Sequence, residues 1–260
     1  MNPSSPHRRR LLLAALAGGW ATAARPASTL PDIIQRSKPS IVLVGTFKST
    51  DSPRFGFRGT GFVVGDGLTV LTCAHVLPER WQSLPEDGIA VQAPRPREPG
   101  GGEPRTARVL AVDTARDLAV LRLEGAPMPA LTLAEPQRVR EGMAIALIGF
   151  PIGGLLGFAP VTHAGIVSSI TPFVLPPANA GQLTGRAVRQ LRGEPLDILQ
   201  LDAIAYPGNS GGPVLDAETG EVVGVVNMVL RLTRESALTQ PTGLTYAIPA
   251  AYARELLQRR

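Results

Sequence analysis

The sequence predicts an all-β protein of sandwich or barrel type that ends in a short helix. Three observations carry this expectation. Short apolar, β-branched runs recur at close spacing, 28 glycines and 25 prolines punctuate them, and almost no stretch holds the 3.6-residue period of a long helix. A first strand is expected at residues 41–47, which open on Ile41, Val42, Leu43 and Val44. Residues 61–65 and 68–72 flank the turn Gly65-Asp66-Gly67 and read as a hairpin. Further strands are expected at 89–93, 107–112, 118–123, 143–150, 161–170, 198–203, 222–229 and 244–248. An amphipathic helix follows from about 249 to 258, with Pro249 near its first turn.

Two segments break the rhythm. Residues 94–105 are too rich in proline and glycine for a strand and read as a surface loop. Residues 176–195, which carry Arg186, Arg189 and Arg192, read as an insertion that is either solvated or substrate-facing.

Composition narrows the function classes. With 260 residues, 44% of them hydrophobic and 18% charged, the chain fills a core of one large or two small domains, which excludes a wholly disordered or fibrous protein. The single cysteine, Cys73, permits no intrachain disulfide and no cysteine zinc cage, and no metal or cofactor is expected. The net charge of +5 is concentrated in the run Arg8-Arg9-Arg10, and the remaining charges are scattered and nearly balanced. With few aromatics to stack on bases, a nucleic-acid partner is not expected.

The arginine run precedes an apolar stretch at 11–19 and then Ala21-Thr22-Ala23, which together read as an export signal, 1–23, cleaved after Ala23. The apolar stretch is shorter than the ~20 residues that span a bilayer. Its paired arginines also suit the twin-arginine route. A periplasmic or extracellular protein without a stable membrane span after signal removal is therefore expected, its folded part covering 24–260.

Chemistry concentrates in Tyr206-Pro207-Gly208-Asn209-Ser210-Gly211-Gly212-Pro213-Val214. Glycines and prolines around one serine allow a tight turn that exposes a hydroxyl and gathers backbone N–H groups toward one point. A serine alcohol needs a base within hydrogen-bond reach, itself oriented by a third group. Gly208-Asn209-Ser210-Gly211-Gly212 also satisfies G-x-S-x-G, but that hydrolase architecture places its histidine after the serine, and none follows Ser210. Of the three histidines, His7 leaves with the signal and His163 lies inside a strand-like run. His75, where a β-run ends in Thr72-Cys73-Ala74-His75-Val76, is the candidate base. Acids between His75 and Ser210 include Asp87, Asp113, Asp117, Asp197 and Asp202. Asp117, at the head of an apolar strand where an ion needs a partner, and Asp113 both remain candidates for the orienting group. Cys73, two positions from His75, reads as a small buried residue or, alternatively, as a thiol nucleophile.

Several motifs occur in the order seen in HtrA (Deg) type trypsin-like serine proteases. They are Gly59-Thr60-Gly61-Phe62-Val63-Val64, Thr72-Cys73-Ala74-His75-Val76, Asp117-Leu118-Ala119-Val120-Leu121, Gly165-Ile166-Val167-Ser168, Asp202-Ala203 with Pro207-Gly208-Asn209-Ser210-Gly211-Gly212-Pro213, and Tyr246-Ala247-Ile248-Pro249. The resemblance covers roughly residues 31 to 258. It implies two packed six-stranded antiparallel β-barrels, the first at about 31–130 and the second at about 131–260, with the active site between them. It implies a triad of His75, Asp117 and Ser210, favours Asp117 over Asp113, and makes the amides of Gly208 and Ser210 the oxyanion hole. It places the specificity pocket at Ile204 and Ala205, with Val226, Asn227 and Met228 as a wall, and so implies a preference for small or aliphatic side chains before the scissile bond. Asn209, where digestive relatives carry an aspartate, implies no activation by propeptide cleavage. The departures are the absence of room for a PDZ domain after Pro249, a longer stretch at 171–195, and the residues Cys73 and Tyr206.

The function implied is an exported serine endopeptidase of protein quality control that acts on protein or peptide substrates, with assembly as a homo-oligomer left open. A catalytically weak binding or chaperone-like protein on the same fold, and an esterase, are the competing expectations.

Overall fold

The computed structural model describes residues 28–85, 88–95, 102–154, 157–173, 196–227 and 244–259. The expected signal at 1–23, residues 96–101 of the expected 94–105 loop, the 176–195 insertion and Met228 lie outside them. Twelve strands occur in the described residues: β1 (Ile41–Phe47), β2 (Phe55–Val64), β3 (Thr69–Cys73), β4 (Ile89–Gln92), β5 (Pro104–Asp113), β6 (Leu118–Leu123), β7 (Ala144–Gly149), β8 (Val161–Phe173), β9 (Leu196–Asp202), β10 (Pro213–Asp216), β11 (Val222–Asn227) and β12 (Leu244–Pro249). Helix α1 (Leu30–Ser37) precedes them and α2 (Ala250–Gln258) follows.

The strands close into two antiparallel barrels, ordered β1-β2-β3-β6-β5-β4 and β10-β11-β12-β9-β8-β7. Read from β7, the second barrel repeats the order of the first. Closure pairs every strand on both sides, so neither barrel leaves a free edge. It also explains why β3 and β11 read as continuous apolar runs rather than alternating ones: all their described residues are buried. The first core gathers Leu43, Phe62, Leu71, Leu118 and Leu121; the second gathers Ile145, Leu147, Leu199, Leu201 and Val223.

Helix α2 buries Ala253 and Leu256 and lies against β11 of the second barrel and β5 and β6 of the first. The Arg116 guanidinium stacks 4.4 Å from the centre of the Tyr252 ring and reaches Glu255 at 2.7 Å. The helix thereby ties the turn that carries Asp117 to the second barrel. Among the described residues, no helix is long and apolar enough to cross a membrane.

Several elements differ from expectation, among them β2, which begins at Phe55 rather than Gly61, and β8, which runs on to Phe173. Helix α1 was not expected, although Thr29 and Asp32 form a capping box, Pro31 sits in the first turn and Ile33 is fully buried. Strand β10 was hidden by its four-residue length and by the glycines and proline of the serine motif. Strand β5 begins at Pro104, so the last two residues of the expected loop belong to the sheet.

Candidate active site

His75 lies in a one-turn 3-10 helix, Ala74–Val76, at the end of β3. Asp117 lies across from it, immediately before β6, which pairs with β3 through Cys73 and Leu118. The backbone of Asp117 is left-handed, with φ +53°. Aspartate tolerates this conformation better than bulkier side chains. It lets one residue grip the histidine turn three ways. The Asp117 carbonyl accepts from the Ala74 N–H at 3.0 Å, Oδ1 accepts from the His75 N–H at 2.8 Å, and Oδ2 lies 2.6 Å from His75 Nδ1. A charged carboxylate so placed fixes the ring and the tautomer that carries the proton on Nδ1.

Asp113 does something else. Its Oδ1 accepts from the N–H groups of Ala115 and Arg116 at 3.1 and 3.0 Å, closing the β5–β6 turn.

Ser210 sits at the seam of the barrels and is 6% exposed. Its carbonyl accepts from the Thr60 N–H of β2 at 2.9 Å, and the next amide, Gly211 N–H, donates to Val226 at 2.9 Å. Gly211 has φ +85°, and a Cβ there would fall 2.1 Å from the Thr60 carbonyl and 3.1 Å from the Cys73 nitrogen. Only glycine allows the serine turn to approach so closely the strand that delivers His75. Gly59 completes the approach, since a Cβ on it would meet Val76 at 2.7 Å and the Ser210 carbonyl at 3.0 Å.

Around the serine, Asn209 N–H donates to Tyr206 and Gly212 N–H to Asn209. Among the described residues, no backbone acceptor takes the N–H of Gly208 or of Ser210. Those two amides are unspent, as donors to a developing oxyanion must be. Asn209 is fully buried, and neither its Oδ1 nor its Nδ2 has a partner among the described residues.

Two residues expected in the pocket wall direct their side chains away from the serine loop. Val226 packs its side chain in the core of the second barrel, with its carbonyl accepting from the Gly211 N–H and from the Cys73 thiol. Asn227 turns its amide to Asp117, donating from Nδ2 to Oδ2 at 2.9 Å. It serves the carboxylate from behind. The sequence signal for this was a lone amide ending the apolar run 222–226. Ile204 is 45% exposed and Ala205 half-buried, both just before the serine loop.

Cys73 is fully buried, its Sγ donating to the Val226 carbonyl at 3.3 Å. Burial, reinforced by the nearby Asp117 charge, pushes the thiol well above its usual range. It is a packed thiol, not a nucleophile. Cys73, His75 and Asp117 bring ligand atoms within 4.8 Å of one another. The thiol, the imidazole and the carboxylate are, however, already engaged with Val226, with each other and with Asn227.

His163, on β8, packs its ring 5.8 Å from that of Tyr206 at the foot of the serine loop. Its Nε2 is buried without a partner among the described residues, and burial lowers its pKa below the ordinary 6.5. The folded state therefore binds this proton less readily than the unfolded chain, and His163 costs stability as the pH falls below its ordinary value. Replacing it with phenylalanine is expected to flatten the fall in melting temperature between about pH 7 and pH 5, a window set by the ordinary histidine pKa. An unchanged slope would contradict this.

Residues 59–225 match the family model described as "Trypsin-like peptidase domain". Mitochondrial serine protease HTRA2 of Bos taurus is 29% identical over 256 residues, covering 95% of this chain and 47% of the relative. A probable periplasmic serine endoprotease, DegP-like, of Hahella chejuensis is 30% identical over 201 residues, covering 77% and 35%. The chain thus spans less than half the length of these relatives. Among solved structures, the HtrA-type protease AlgW with a decapeptide superposes with a TM-score of 0.62 at 23% identity, covering 89% of this chain and 67% of that one.

Proposed function

Because the chain belongs to the trypsin-like peptidase domain family, we propose that it is a serine endopeptidase that cleaves peptide bonds through an acyl-enzyme. His75, Asp117 and Ser210 form the triad, and the amides of Gly208 and Ser210 form the oxyanion hole. The observation that carries this reading is the threefold grip of Asp117 on the His75 turn, beside a serine loop in which the Gly208 and Ser210 amides have no acceptor among the described residues.

The Ser210 oxygen attacks the substrate carbonyl carbon while its proton passes to Nε2 of His75. The imidazolium that results is held by Asp117, whose own charge is supported by the Asn227 amide. The carbonyl oxygen becomes an oxyanion between the two amides, each contributing roughly 3–4 kcal/mol of transition-state stabilisation. Collapse breaks the C–N bond, the leaving amine takes the proton from His75, and water repeats the sequence in reverse roles to release the acid.

The side chain before the scissile bond meets Ile204 and Ala205 rather than an acid, so small or aliphatic residues are preferred there. A peptide-library profile dominated by arginine or lysine would contradict that preference. The basic, apolar N-terminus followed by Ala21-Thr22-Ala23, together with the DegP-like relative, supports export and a role in clearing damaged proteins.

Incubation of the purified protein with unfolded casein tests the reading. New peptide termini after small or aliphatic residues are expected with the wild type and none with Ser210→Ala. Cleavage that survives in Ser210→Ala, or an absence of cleavage by the wild type, would overturn it.

A further inference from the structure

We propose that Arg58 is a positioning residue of the His75 turn, a cation of β2 that holds the base in its place beside the serine loop. This role rests on the peptidase reading above.

His75 lies in a single turn, and one internal bond closes it, from the Leu77 N–H to the Ala74 carbonyl at 3.0 Å. A lone turn fixes several dihedrals for that one bond and is a weak support by itself. Its entry is held by Asp117, which takes the N–H groups of Ala74 and His75. Its exit is held by Arg58, whose Nε donates to the Val76 carbonyl at 2.6 Å and whose Nη2 donates to the Leu77 carbonyl at 3.3 Å. A charged, planar fork suits two successive carbonyls.

The shorter of these bonds acts on the turn directly. The Val76 carbonyl and the Leu77 N–H belong to one planar trans peptide unit and point in opposite directions. A guanidinium on that carbonyl therefore keeps the N–H directed at Ala74 O, and this is the bond that spans His75. The ring is thus bracketed, an anion taking the N–H groups on one side and a cation serving the carbonyls on the other.

The same stretch of β2 also touches the nucleophile. Thr60 N–H donates to Ser210 O at 2.9 Å, and Gly59 is wedged so tightly that a Cβ on it would meet both Val76 and the Ser210 carbonyl. Arg58, Gly59 and Thr60 therefore run from the histidine turn to the serine loop in three consecutive residues. Base and nucleophile come from different barrels, and this piece of β2 is the common reference for both.

The test compares three variants. Arg58→Met keeps an apolar stem and removes the donors, and Arg58→Lys keeps a charged donor. Arg54→Met is the control for charge, since Arg54 is an exposed arginine four residues earlier. With a peptide substrate, kcat of Arg58→Met is expected to fall about 10-fold at little-changed KM, within the ~10²-fold that a misplacement of ~1 Å can cost. Phosphonylation of Ser210 by a fluorophosphonate, which needs base and nucleophile but no extended peptide, is expected to slow in parallel. Arg58→Lys should stand nearer the wild type in both readouts, and Arg54→Met should match it.

Wild-type kcat and phosphonylation in Arg58→Met, or losses equalled by Arg54→Met, would overturn the proposal. So would a raised KM at unchanged kcat, the signature of an arginine that only binds substrate. Should the methionine variant fail to fold, Arg58→Gln, which keeps a shorter neutral donor, is read against the same outcomes. A wild type that cleaves no peptide and takes no probe overturns the peptidase reading and this inference together. A wild type that does both, with Arg58→Met its equal, overturns only the role of Arg58.

Discussion

Ser210→Ala is expected to lower peptide-bond turnover about a millionfold, the loss seen when a triad nucleophile is removed. The substitution deletes one oxygen from a 6% exposed side chain and leaves untouched every backbone bond that shapes the loop. The amides of Gly208 and Ser210 stay in place, as does the His75–Asp117 pair. What remains is substrate binding and the oxyanion hole, which alone sustain a small residual rate over water. Peptide affinity should therefore be kept while kcat collapses. Steady-state kinetics beside a peptide-binding titration reads both. A loss of binding equal to the loss of rate would mean that the serine organises the loop instead of attacking the substrate.

Asp117→Asn is expected to lower kcat about 10⁴-fold, the effect of installing the wrong histidine tautomer. Asparagine accepts the left-handed backbone at this position, so the turn should survive. Its carbonyl oxygen can keep the bond from the His75 N–H, which leaves an NH2 group toward Nδ1 and toward the Asn227 amide. Two donors then face each other, and the ring is driven to carry its proton on Nε2, where it cannot accept one from Ser210. Asp113→Asn supplies the contrast, since that carboxylate closes the β5–β6 turn and pairs with Arg116 at 3.7 Å. It should trim stability and leave the pH dependence of kcat unchanged. Equal kinetic losses in the two variants would contradict the assignment.

Much of the fold was legible because strand residues facing a closed barrel are apolar whatever their neighbours. Residues 41–47 and 118–123 were bounded as the structure has them. Closure into two barrels was not readable from pattern, which records burial without recording strand order. That expectation came from the ordered motifs. Helix α1 was missed although Thr29, Pro31 and Asp32 announce it, since its apolar face is narrow and sits beside a segment read as a signal.

At the site, His75 and Ser210 stood out by inventory, there being three histidines and one serine amid glycines. The choice between Asp113 and Asp117 was beyond composition, because both flank the same turn. The backbone separates them: Asp117 turns left-handed toward His75, and Asp113 folds onto its own turn. Asn227 was invisible in its contact for a related reason. It is a polar residue ending an apolar strand, and only the three-dimensional seam shows that it serves the Asp117 carboxylate.

The most direct measurement is the reaction of the purified protein with a fluorophosphonate, which phosphonylates only a serine whose hydroxyl is deprotonated by a neighbouring base. The structure leads to one adduct per chain, mapped by mass spectrometry to Ser210, slowed in Asp117→Asn and absent in Ser210→Ala. An adduct on any other residue, or labelling undiminished when Ser210 is alanine, would contradict the account.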